Sequence, residues 1–129
     1  MPEQPPNVAL LQRLDPRDIA TAKDVFSEDV VWHFFNPKLP DIQGDFVGLA
    51  GVQSFFQEIG EVTGGTFRVN PVSITTVGDE LVVTHSKNSM TIGGEAIETD
   101  AVVVWRVVDG RVAEAWDIPA VHGMSAVAR

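Results

Sequence analysis

The chain has 129 residues, 44% of them hydrophobic and 21% charged, the mix of one globular domain with a real core. Its 18 acids against 9 Lys and Arg leave a net charge of −9, which argues against nucleic acid or an anionic membrane as partner, since both need clustered positive charge. With no cysteine there is no disulfide framework or thiolate metal site, and no apolar run approaches a membrane span.

Residues 1–6, Met1-Pro2-Glu3-Gln4-Pro5-Pro6, are expected to be a loose tail without the basic and apolar regions of a signal peptide. The expected setting is cytoplasmic. Asn7 can cap a short helix through Leu14, with Val8, Leu11 and Leu14 on one face. Asp15-Pro16-Arg17-Asp18 then starts a second helix, with Asp15 as cap and Pro16 at the first helical position. It runs to about Phe26, burying Ile19, Ala22 and Phe26, and Ser27-Glu28-Asp29 breaks it. Val30 to Phe35 reads as a first strand ended by Asn36-Pro37. Lys38 to Val47 is a loop, with a short strand near Phe46.

Gly48 to Gly60 reads as a third helix, striped by Val52, Phe55, Phe56 and Ile59. Thr66 to Val77 is a strand whose Asn70-Pro71 marks a bulge or an edge position. Gly78-Asp79 turns it into a strand from Glu80 to Ile92, and Gly93-Gly94 turns again. The last hairpin, Glu95 to Pro119, organises the chain. Ala101 to Val108 is a β-branched run with one charge, expected to be buried on both faces near the middle of a sheet. Asp109-Gly110 supplies the two positive-φ residues of a tight turn. The return strand, Arg111 to Ile118, carries Asp117 between Trp116 and Ile118. An acid there needs a reason, because burying it unpaired is costly.

The fold class is α+β: three N-terminal helices close the concave side of a curved, half-open sheet, any gap between them being a pocket, in a single domain spanning 1–129 with 121–129 as a C-terminal tail. Phe26-Ser27-Glu28-Asp29-Val30-Val31-Trp32-His33, Gly44-Asp45-Phe46-Val47-Gly48, Gly64-Gly65-Thr66-Phe67, Val107-Val108-Asp109-Gly110-Arg111-Val112 and Ala115-Trp116-Asp117 resemble the SnoaL-like branch of the nuclear-transport-factor-two-like superfamily. The resemblance covers residues 8–120. It implies a conical barrel with a deep apolar cavity that often dimerises through the outer face of its sheet. It is far less specific for activity, because the fold hosts many chemistries and plain binders.

In SnoaL-type polyketide cyclases the acid/base aspartate lies on the last strand, where this chain has Asp117. Alternation puts Ala113, Ala115, Asp117 and Pro119 on one face, with small neighbours that leave space. Desolvation there should raise the pKa of Asp117 towards neutrality. Trp32, Phe34, Phe56 and Trp105 are expected cavity-lining rings that core packing explains equally well. His33 matches a family histidine, but alternation lets only one of Trp32 and His33 point inward. Ser86 and Asn88 can hydrogen-bond a ligand carbonyl from the same face as Asp117. Ketosteroid-isomerase chemistry is rejected: Phe34 or a neighbour stands where that family has its base, Val103 where it has its acidic donor, and there is no tyrosine. Epoxide hydrolysis fits least, because Thr84-His85-Ser86-Lys87-Asn88 holds no Arg-x-Asp pair. His33, His85 and His122 are too scattered for a metal site, and no phosphate-cradling glycine loop occurs. No cofactor is expected. The leading reading is acid/base catalysis on a small apolar carbonyl compound. The alternative is a non-catalytic ligand-binding or dimerisation module, with a homodimer expected through the outward sheet face in either case.

Overall fold

The computed structural model describes residues 5–120 and 125–126. Helix α1, Pro6–Leu11, starts at a proline, whose missing N–H would be unpaired in a first turn anyway, and buries Val8 and Leu11. It ends short of Leu14. Asp15 does not cap an α-helix: its Oδ1 accepts from the Arg17 N–H at 2.9 Å in a local turn. The next element is a 310 helix, Ile19–Val25, broken at Ala22, where φ is −127°. So short a segment, with β-branched Ile19, Thr21 and Val25, does not sustain an α-helix. Its buried side chains still include Ile19 and Ala22.

Strand β1 is Phe26–Phe34: the helical segment ends before Ser27-Glu28-Asp29 as expected, but these three residues already belong to the strand expected to start at Val30. A register irregularity between Phe26 and Val31 lets Glu28 and Asp29 face solvent while the strand continues. Strand β2, Gly44–Val47, pairs antiparallel with β1. Helix α2, Gly48–Val62, begins directly after it and buries Val52, Phe55 and Ile59. Its close approach to β2 depends on Gly51, where a Cβ would stand 2.9 Å from the backbone carbonyl carbon of Phe46.

Strands β3 (Arg68–Val77), β4 (Leu81–Ile92), β5 (Glu95–Val108) and β6 (Arg111–Pro119) form the antiparallel meander read from the turn residues. Asp109 (φ 52°) and Gly110 (φ 76°) make the β5–β6 turn. The spatial order is β2-β1-β6-β5-β4-β3, with β1 parallel to β6. β3 is an edge strand with a register shift between Pro71 and Ser73. Ser125–Ala126, inside the stretch expected as a tail, form β7 against Ile97 and Glu98 of β5. His122 lies outside the described residues.

The helices cover the concave face of this curved, unclosed sheet, and the core forms there from Val30, Trp32, Phe55, Val82, Trp105 and their neighbours. The valine run of β5 is therefore buried on one face only. Ala101, Trp105 and Val107 are buried, whereas Val102 and Val104 on the convex side stay half-exposed. Among the described residues no helix is long and apolar enough to cross a membrane.

Candidate active site

Strand register sorts the site into rows, because residues opposite each other share a face. One concave row runs Val82, Trp105, Ala115, Trp32 across β4, β5, β6 and β1. The next runs Thr84, Val103, Asp117, Phe34. Trp32 therefore faces inward and is 2% exposed. Its ring meets Trp105 at 5.3 Å, Phe56 at 5.2 Å and Phe55 at 5.5 Å, and Phe34 joins Phe55 at 4.8 Å. Of the expected aromatic residues, Trp32, Phe34, Phe56 and Trp105 thus belong to one contiguous cluster on the concave side.

Asp117 sits between Val103 and Phe34, with no charged partner in its row. The residue keeps partial exposure, yet burial of the carboxyl pushes its pKa up from 3.8 to about 7, the direction that desolvation of a charged form dictates. The Trp32 indole N–H bears on this carboxyl and pulls its pKa the other way. It completes no hydrogen bond to any described residue. The Trp105 N–H, by contrast, donates to Thr84 Oγ1 at 3.0 Å.

Ser86 and Asn88 do share the concave face, but Ser86 pairs with Ala101 and Asn88 with Thr99, so β5 separates them from Asp117. Ser86 donates its hydroxyl to Asn88 Oδ1 at 2.9 Å. Thr84 stands in the row of Asp117, and alternation is the one sequence signal that places it on this face. His33 lies on the convex face: its Nδ1 meets Asp45 at 2.7 Å and its Nε2 meets Glu114 at 2.6 Å, with Trp116 stacked on the ring at 5.5 Å. Partial burial alone would lower its pKa. The hydrogen bonds to Glu114 and Asp45 outweigh this and raise it. His85 pairs with Asp100 at 2.8 Å on the same convex side, holding Asp100 below the usual carboxylate range.

A cleft of about 600 Å³ opens between the 310 helix, α2 and the start of β3, lined by Arg17, Ile19, Gln53, Phe56 and Phe67 among others. It does not touch Asp117, but contacts run from it through Phe56 to Trp32, and so to the carboxyl. A second hollow of about 470 Å³ at the ends of β1 and β6 borders Asp117 together with Phe34, Phe35, Gln43 and Trp116.

A curved, unclosed mixed sheet with helices on its concave side is the architecture of the nuclear-transport-factor-two-like fold. The model of the SnoaL-like domain family matches residues 8–115, and the chain belongs to that family. No curated protein matches its sequence. Among solved structures it is similar to Bal32a from a soil-derived mobile gene cassette, with 23% identity, 89% of each chain covered and a TM-score of 0.80. TerC co-crystallised with polyporic acid shares 25% identity over 88% of this chain and 90% of its own, with a TM-score of 0.75. An NTF2-like protein from Burkholderia pseudomallei shares 20% identity over 88% and 90%, with a TM-score of 0.77.

Proposed function

We propose that the chain binds a small apolar carbonyl compound on its concave face and that Asp117 moves a proton to or from it, in the manner of a polyketide cyclase, isomerase or dehydratase. The observation that carries this reading is a desolvated carboxyl with a pKa of about 7, held beside an aromatic cluster. At that pKa both protonation states are populated near neutrality, as general acid/base work requires.

The step balances within the site. The C–H bond next to the carbonyl breaks and its proton goes to the Asp117 carboxylate. The electron pair becomes a C=C bond and the carbonyl oxygen takes the negative charge. Return of the proton at another position isomerises the compound. Attack of the enolate on a second carbonyl closes a ring, the new alkoxide taking the proton back from Asp117, and expulsion of a β-hydroxyl dehydrates, the leaving oxygen taking that proton and departing as water. The aromatic lining supports a flat apolar partner, and TerC, similar in fold, is co-crystallised with polyporic acid.

The test follows α-proton exchange of a simple ketone, α-tetralone, in D2O. Wild type should accelerate exchange, and Asp117→Asn should lower the acceleration by about 100-fold or more. Equal exchange rates, with an ordinary carboxylate pKa for Asp117 by carbon NMR, would remove the proposal. The alternative, a binder without catalysis, draws support from the row itself, where Thr84, Val103 and Phe34 offer Asp117 no second titratable group. Tetralone bound without accelerated exchange would favour it.

We also propose a homodimer through the convex face. Val102, Val104, Trp116 and Ile118 present apolar surface there, and Ile118 is 54% exposed.

A further inference from the structure

We propose that the Trp32 indole N–H is the hydrogen-bond donor to the oxygen of the bound ligand, so that Trp32 and Asp117 together form a two-point site for an enolisable ketone carrying a flat apolar group. This rests on the reading of Asp117 as the proton-transfer group and extends it to the oxygen on which charge develops.

Three observations converge. Buried polar groups are almost always paired, and an orphan among them calls for an explanation. Trp32 is 2% exposed, and its Nε1 has no partner among the described residues. The neighbouring Trp105, in the same row, has its N–H fully engaged by Thr84 Oγ1. The contrast separates two tryptophans in one cluster: one is satisfied by the fold, the other is left open.

The second observation is position. Trp32 lies diagonal to Asp117 across the parallel β1–β6 pairing, since Trp32 is opposite Ala115 and Phe34 opposite Asp117. Diagonal neighbours on one face are within reach of an indole. The N–H bears on the carboxyl without closing a bond to it. With a carbonyl oxygen accepting from Trp32, the α-carbon lies two bonds further on, on the side where Asp117 stands diagonal to Trp32. A donor already fixed where negative charge appears needs no reorganisation during the step.

The third observation is access. The half-buried Phe56 ring lies edge-on to Trp32 at 5.2 Å and also lines the 600 Å³ cleft. Phe56 is thus shared by the cleft and by the ring cluster around the polar pair. These points define the ligand class: one ketone oxygen for Trp32, one acidic C–H for Asp117, and an aromatic or otherwise flat body against Phe56 and Trp105.

Phenols test this directly, because a phenolate mimics the charged oxygen of an enolate. The full chain, nitrogen-labelled at its indoles, is titrated with 4-nitrophenol and followed by NMR, with Trp105→Phe and Trp116→Phe assigning their own signals and Trp32 by elimination. Binding should move the Trp32 indole proton downfield, and Trp32→Phe should weaken binding about fivefold or more, the loss of one hydrogen bond to a charged oxygen. Binding that leaves the Trp32 signal in place while shifting the Asp117 carboxyl overturns the role of Trp32 and leaves that of Asp117 standing. The wild-type signal decides the matter even if Trp32→Phe does not fold. Binding that disturbs neither group overturns both. Absence of binding by 4-nitrophenol overturns the two-point site, while tetralone exchange decides separately on Asp117.

Discussion

Phe34 and Asp117 are register partners across the parallel β1–β6 pairing, so an aromatic ring and a carboxyl share the concave face side by side. Val103 flanks the acid on its other side. This apolar bracket is what desolvates the carboxyl, and it ties the chemistry of the site to its stability.

The pKa of Asp117 is raised from 3.8 to about 7 in the folded chain, which therefore holds the proton more tightly than the unfolded chain does. The stability this confers is fully present below about 3.8 and is lost as pH rises through about 7. A shift of that size corresponds to roughly 4 kcal/mol at most. Asp117→Asn should thus unfold at higher urea than wild type at pH 8, and at nearly the same urea at pH 4. Equal midpoints for both chains at both pH values would mean that the carboxyl is solvated.

His33 shows the same sense through a different cause. Its pKa is raised above 6.5 against the opposing effect of burial, because Glu114 and Asp45 hold both ring nitrogens. Its stabilisation is present below the unfolded value of about 6.5 and fades as pH rises through the folded one. His33→Ala should cost about 1 to 2 kcal/mol at pH 5.5 and clearly less at pH 9, read from urea unfolding. A loss that is the same at both pH values would mean the ring acts only by packing on Trp116.

Gly51→Ala sets helix propensity against packing. Alanine favours a helix interior by about 1 kcal/mol. Here its Cβ would stand 2.9 Å from the Phe46 carbonyl carbon, and backbone cannot rotate aside. The variant should lose about 1 to 2 kcal/mol net, within the usual cost of overpacking. A gain in the denaturation midpoint would show that α2 shifts freely on β2.

The proposed dimer gives a prediction in solution. Val104 and Trp116 are opposite each other on the convex face, as are Val102 and Ile118. Wild type should scatter light as a dimer at micromolar concentration, and Val104→Glu as a monomer with unchanged circular dichroism. A monomeric wild type removes the proposal.

What the sequence reveals here is what local chemistry decides. Asp109-Gly110 fixes the last hairpin because both residues must take positive φ, and Pro71 marks the edge strand because it lacks a donor. The parallel pairing of β1 with β6 has no such local signature, since Phe34 and Asp117 are brought together by the whole intervening chain. For the same reason the clamp on His33 is invisible in the sequence: Asp45 and Glu114 lie 12 and 81 residues away. Alternation states that Trp32 and His33 face opposite ways, but only the position of α2 decides which is inside. The charged Glu28-Asp29 pair looks like a connection between helix and strand because an irregular strand position carries the same residues. Asp117 is readable as an anomaly, an acid in an apolar strand. The missing partner of the Trp32 N–H is not, because indole bonding depends on neighbours across the sheet.

The kink at Pro71 on the outermost strand also governs what the molecule resists. A flat, regular border of free backbone groups invites another chain to add itself, and then another. Here one position has no N–H to offer, and the ladder slips beside it at Ser73. An outermost strand interrupted in this way resists the addition of a further strand along its border.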